Sequence, residues 1–352
     1  MIARIFCLLL MVLTAPLSLA AEPLHDNRSI YLYQGPDRDQ QLVERAKKEG
    51  KLNYFSTMTV ADAQALATAF EKKYGIKVNR WRGSNEKIQL RAITEARAGL
   101  YETDVVEMDS SGVEVLYREN LLEEFYVPGI KDIPPTAIPK HRHYVPDRFS
   151  VFVMAYNTNL VKPADVPNTY EDVLNPKWIG NFGIEASDVM WFASVARAMG
   201  EEKGMAYFQK LAAMKPSMRT SHILIAQLVA AGEIPMALTA YNNNVETLKK
   251  KGAPIEWKPL QPAFGQSSSI ALAKHSTRPY ASLLFVQFAL SPEGQQIIKE
   301  MNRIPSSLAV DSPLNKFKHE LIDSVMALDE WDKWEALWSR MFLGGKKVQK
   351  EE

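Results

Sequence analysis

The alternation of apolar and polar positions changes period several times along the chain. Gln41 to Glu49 repeats at helical spacing and is stopped by Gly50, and Lys51 to Phe55 then alternates as a strand. From Ala63 onward, Leu66, Ala67, Phe70 and Tyr74 return to helical spacing, with Thr59 and Asp62 placed as a capping box and Gly75 as the stop. A second strand over Ile76 to Trp81, a second helix over Glu86 to Ala98 and a third strand over Asp104 to Met108 complete a β-α-β-α-β pattern. Such strands pair in parallel through right-handed crossovers, and ligands of these sheets collect at the carboxyl ends of the strands.

Those ends are short, polar and small in this chain: Ser56 to Thr59, Arg82 to Asn85, and Asp109 to Gly112. Each precedes a helix whose first amides point outward with partial positive charge, so together they predict an anion-friendly pocket. Taken singly, each Ser, Thr or Asn reads equally as an N-cap.

Beyond the Pro-rich stretch Ile133 to Pro139, Phe149 to Tyr156 reads as a strand. A second αβ region follows from about Trp178 to Trp257, with helices over Met190 to Met199, Glu201 to Ala213, Ile223 to Ala231 and Val245 to Lys251, and a strand over Pro235 to Ala240. Ser268 to Ala273 is a further strand, Tyr280 to Leu290 a helix, and Ser291-Pro292 the N-cap and first residue of another. Trp331, Trp334 and Trp338 recur at helical spacing and read as the buried face of a terminal helix. No low-complexity tether separates the two αβ regions, which favours strands as their connection.

The first twenty residues form a separate signal. Arg4, the apolar run Ile5 to Leu13 and the small residues Ser18 to Ala21 predict a secretory signal peptide cleaved after Ala20. The mature chain is then expected in the periplasm, soluble and without stable membrane insertion. Its single cysteine, Cys7, leaves with the signal, which excludes disulfides, thiol catalysis and thiolate metal sites. The 42 basic and 41 acidic side chains balance once Arg4 is removed, so neither nucleic acid nor an anionic membrane is indicated as a partner.

The segments VMAYNTNLVKPADVPNTYEDVLNPKWIGN from Val153, HILIAQLVAAGEIPMALTAYNNNVETLKKKGAP from His222 and SSSIALAKHSTRPYASLLFVQFALSPEGQ from Ser267 come in an order and spacing that resemble one family. With AFEKKYGIKV from Ala69, they resemble ABC-importer solute-binding proteins of the ferric-iron-binding type. The resemblance implies an α/β, two-lobed type-II periplasmic-binding-protein fold with a β-strand hinge and a central ligand cleft. It places residues 40–150 plus 270–303 in the N-terminal lobe and 151–269 plus 304–345 in the C-terminal lobe, with crossovers near Phe149 to Tyr156 and Phe264 to Ile270. It also implies a monomer that captures its solute by closure and hands it to a membrane permease, with no catalysis and no cofactor.

Two ligand chemistries stay open. Ferric iron is hard and takes anionic oxygens. Where iron-binding members carry an adjacent Tyr-Tyr pair, this chain has Tyr241-Asn242; Tyr156 matches a second phenolate position, and Tyr54 and Asp109 lie near the pocket loops. The metal set for that reading is Tyr156 and Tyr241. A small organic or phosphorus oxyanion would instead use Ser56, Thr57, Ser84, Asn85 and Ser110 with Arg82 or Tyr241, and Asp188 and Trp191 open a helix that can face the same cleft. His141 and His143 form a two-apart imidazole pair that reads as a solvated loop rather than a zinc site, and His222 reads as a helix cap. A secreted hydrolase would need an ordered nucleophile or metal-bound water, and neither G-x-S-x-G nor H-E-x-x-H occurs. A sensory ligand-presenting subunit would have the same fold as a transport subunit.

Overall fold

A computed structural model describes residues 26–348; the segment read as a signal peptide lies outside them. The N-terminal half builds β1 (Lys51–Ser56), β2 (Lys77–Arg82) and β3 (Val105–Asp109), parallel in the order β2-β1-β3. Between and around them run α1 (Arg38–Glu49), α2 (Val60–Tyr74), α3 (Asn85–Arg97) and α4 (Ser110–Arg118). Gly50 and Gly75 end α1 and α2 in the left-handed region at φ 70 and 72, where a side chain would be strained. Of the capping box only one arm forms. Thr59 accepts from the Asp62 amide at 3.2 Å, while the Asp62 carboxylate pairs with Arg303 at 2.8 Å.

The strand β4 (Tyr144–Asn157) is longer than its hydrophobic run suggests and serves both halves. Through Val151 it lies antiparallel to β9 (Phe264–Ala273), which in turn lies antiparallel to β3. From Phe152 onward β4 pairs with strands of the second half: β5 (Phe182–Glu185), β6 (Ser217–Arg219), β7 (Met236–Tyr241) and β8 (Ile255–Lys258) make up that sheet, with β5 parallel to β6 and β7, and β4 antiparallel to β7 and β8. The helices of this half are α5 (Val189–Ala198), α6 (Glu201–Ala213), α7 (His222–Ala231) and α8 (Asn242–Lys250). Ordered strands, not a tether, thus carry the chain between the halves.

Two cores flank this junction. In the first lobe Tyr54 and Phe70 pack on Phe285, Phe70 edge-on at 5.1 Å, and Phe288 packs on Phe70. In the second, Trp191, Phe192 and Phe208 pack with Trp334 and Trp338. After β9 the chain returns through α9 (Pro279–Ala289) and α10 (Pro292–Glu300) to the first lobe, with Ser291 capping α10. The segment beyond Ile304 is not confined to one lobe: α11 (Ser324–Asp329) packs on α4 through Arg118–Asp329 at 2.5 Å and on the start of β4 through Tyr144–Ser324 at 2.9 Å, whereas α12 (Trp331–Phe342) packs on α5. Trp334 and Trp338 are fully buried, but Trp331 departs from that stripe and reaches the space between the lobes.

Candidate ligand-binding cleft

A cleft holding about 500 Å³ opens between the lobes, within the usual size range for a small-molecule site. Its first wall comes from the ends of β1, β2 and β3: Thr57, then Arg82, Ser84 and Asn85, then Asp109, Ser110 and Ser111. The loops are locked from behind. Ser84 caps α3, Arg82 Nε donates to the Met58 carbonyl at 3.2 Å, and Asn85 Nδ2 donates to Asp109 Oδ2 at 2.9 Å. Ser110 Oγ lies 2.7 Å from Ser267 Oγ and 2.6 Å from Ser269 Oγ, fastening the start of α4 to the interlobe strand β9. Burial pushes the Asp109 carboxyl above its usual range.

The opposite wall has different chemistry. Asp188 precedes α5, and its Oδ1 lies 2.9 Å from His222 Nε2 at the start of α7. The His222 ring stacks on Tyr241 with centroids 3.9 Å apart and planes 9° from parallel, and the Tyr241 hydroxyl donates to Gln266 at 2.9 Å. Ser187, Phe152 and Trp331 complete this side. Behind it Glu185 is fully buried; desolvation first, then the charge of Asp188, raises its carboxyl.

A buried charge cluster ties β3 to the first-lobe part of the interlobe strand β4. Arg148 Nη1 donates to Glu107 at 2.5 Å and to Asp147 at 3.1 Å, and Ser56 donates to the other Glu107 oxygen at 2.6 Å. Burial works against the Arg148 charge, but Glu107 and Asp147 more than offset it and hold the guanidinium protonated. Two carboxylates share this one cation, and desolvation pushes Asp147 up to about 7.

Nine of the residues singled out from sequence border the cleft: Thr57, Arg82, Ser84, Asn85, Asp109, Ser110, Asp188, Trp191 and Tyr241. Trp191 does so only at its edge, being 1% exposed and packed edge-on to Phe208. Four do not border it. Tyr54 turns into the first core, its hydroxyl 3.6 Å from Met58 Sδ, and burial raises it well above the ordinary phenol range. Ser56 lies under the floor, bound to Glu107. Asn242 turns its amide to the Leu314 carbonyl at 3.0 Å.

Tyr156 sits at the far end of β4. Its register partner is Met236, at the start of β7, whereas Phe152 faces Tyr241 at the end of β7. That separation is about 15 Å along the strands, so Tyr156 and Tyr241 do not converge on one ion. Tyr241 is the one tyrosine among the described residues bordering the cleft.

Sequence reasoning missed Glu185, Ser187, Gln266 and the cleft role of Trp331. His222 is not the cap of α7; Ser221 is, accepting from the Leu224 amide at 3.4 Å. The His141–His143 segment is not a solvated loop either: His141 stacks on Tyr117 at 3.7 Å and lies 3.3 Å from Glu114.

Two αβ lobes joined by continuous strands around a polar cleft define the type-II periplasmic-binding-protein fold, a class that holds solutes between its lobes. The chain belongs to the bacterial extracellular solute-binding protein family, whose model matches residues 65–320. It is 23% identical over 310 residues to Iron uptake protein A1 of Synechocystis, covering 80% of this chain and 82% of that protein. Among solved structures it is similar to iron-bound HitA from Pseudomonas aeruginosa, with a TM-score of 0.71 and 22% identity over 83% of this chain and 99% of that one. AfuA from Actinobacillus pleuropneumoniae, with fructose-6-phosphate bound, gives a TM-score of 0.69 and 22% identity over 84% and 99%. Among the described residues no helix is long and apolar enough to cross a membrane.

Proposed function

We propose that this protein is the periplasmic solute-capturing subunit of an ABC importer, and that its solute is a small organic oxyanion, such as a phosphate ester, rather than a bare ferric ion. The observation that carries this reading is the composition of the first wall. Three strand ends present Thr57, Ser84 and Ser110 beside the first turns of α3 and α4, with the Arg82 cation at the rim. Amides and hydroxyls held by their own hydrogen bonds solvate an anion without reorganising. A ferric site would need several anionic oxygens on one point; one phenol, Tyr241, borders the cleft, and the Asp109 and Asp188 carboxylates stand on opposite walls of it.

The lobes then act as jaws about β4 and β9. Solute bound to the first wall gains contacts with Tyr241, Gln266 and Trp331 when the lobes approach, and only that gain shifts the population toward the closed form. A permease that recognises the closed form receives loaded protein. No bond in the solute is made or broken.

The test is a pair of titrations of the mature protein. Calorimetry against a panel of phosphate esters, phosphonates and carboxylates is expected to find a saturating one-to-one ligand, while ferric citrate produces no phenolate charge-transfer band. A visible band with no oxyanion response would replace the proposal by iron transport.

A further inference from the structure

Glu185 at the end of β5, Asp188 before α5 and His222 at the start of α7 each offer a donor atom, and these atoms all lie within 4.8 Å of one another. They come from three different elements, brought together only by the fold. Glu185 and Asp188 are 0% and 5% exposed. Asp188 Oδ1 is bound to His222, but Asp188 Oδ2 is closed off from solvent and has no hydrogen-bond partner. A buried carboxylate oxygen left without a donor is a liability that native structures seldom carry.

We propose that Glu185, Asp188 and His222 bind a divalent transition-metal ion of the zinc class on the second wall, with one coordination position left open to the cleft. One imidazole with two carboxylates is an N/O donor set of the kind found in zinc sites that keep an open position. The supporting shell is already in place. Glu185 Oε2 accepts from the Ser187 amide and hydroxyl, both at 2.6 Å, and Oε1 accepts from the Ser221 amide at 3.1 Å, which fixes the carboxylate as outer-sphere partners do. The His222 ring is held flat against Tyr241. Donors about 2.0–2.2 Å from a tetrahedral ion stand about 3.4 Å apart, so side-chain shifts of about an ångström close the site. Ser187, Asp188 and His222 border the cleft while Glu185 stands behind them, so the open position faces the solute space. The ion site uses none of the first-wall residues and stands whether or not the solute is an oxyanion.

The experiment uses chelator-treated mature protein with zinc or cobalt(II) alone. Equilibrium dialysis is expected to give one ion per chain, and cobalt(II) the visible spectrum of a low-coordinate N/O site. Asp188→Asn and His222→Gln are each expected to weaken binding at least about 100-fold with the circular dichroism unchanged, and Ser187→Ala about tenfold. The double variant His141→Gln/His143→Gln retains binding. If an Asp188 or His222 variant unfolds, Ser187→Ala decides. Absence of saturable binding, affinity unchanged in the Asp188, His222 and Ser187 variants, or loss in the His141/His143 variant overturns the proposal.

Discussion

The two walls of the cleft carry different chemistry. The first lobe presents backbone amides and hydroxyls at helix starts, each restrained by a short-range bond such as Ser84 to the Lys87 amide. The second presents carboxylates, an imidazole and aromatic faces gathered from Asp188, His222, Tyr241 and Trp331. α5 begins at Asp188 without a side-chain cap, so that carboxylate is not spent on its own helix. A wall of amides suits the charged end of an anion, and a wall of carboxylate and rings suits an uncharged or cationic remainder. The division of labour follows from where polarity is stored: in local backbone on one side, in tertiary placement on the other.

The Arg148 cluster ties β3 to the interlobe strand β4, so its loss should have the largest effect. Arg148→Met leaves Glu107 and Asp147 buried without a cation and is expected to cost about 3–5 kcal/mol in urea unfolding. If stability is unchanged, Arg148 is not what neutralises the two buried carboxylates.

Asp147 sets a pH dependence of the same origin. Its carboxyl is raised to about 7, so the folded chain binds that proton more tightly than the unfolded chain does. Its contribution is therefore most favourable below the unfolded value of about 4 and is lost as pH rises through about 7, on the order of a few kcal/mol. Comparing Asp147→Asn with the parent by thermal melts at both ends of that window should show the variant gaining at the alkaline end.

Arg82→Ala separates the walls. It removes the cation at the first rim and is expected to lower oxyanion affinity about tenfold or more, the value of a charged hydrogen bond at about 1.5–3 kcal/mol, with fold stability nearly unaltered. An equal loss for an uncharged analogue of the solute would show that Arg82 shapes the loop instead.

Smaller effects distinguish the helix starts. Ser84→Ala should cost about 1 kcal/mol of stability through the lost cap of α3, whereas Asp188→Asn should cost no capping energy. The smallest is Asp329→Asn, which removes the exposed pair with Arg118 between α4 and α11 and should shift unfolding by less than about 1 kcal/mol.

The same contrast explains what was legible in the sequence. The β-α-β-α-β pattern and its polar strand ends were readable because capping residues and helical spacing are local, and Thr57, Arg82, Ser84, Asn85, Asp109 and Ser110 do border the cleft. The errors lie where tertiary direction decides. Tyr54 lies in a strand whose last three residues are all buried, so period alone could not say that its ring enters the core. The resemblance puts Tyr156 at a phenolate position, but β4 runs antiparallel to β7, which puts its carboxyl end away from the cleft. Asn242 starts a helix whose phase turns it toward Leu314. Glu185 and Gln266 carry no local signal: one is the last residue of a four-residue strand, the other lies within the interlobe strand β9.

Native mass spectrometry of the protein purified from its own periplasm addresses solute capture directly. The account predicts a one-to-one complex that releases a small phosphorylated or carboxylated compound on denaturation and is depleted in Arg82→Ala. Protein that carries a ferric ion with no organic anion, or that returns no bound solute under any growth condition, would contradict it.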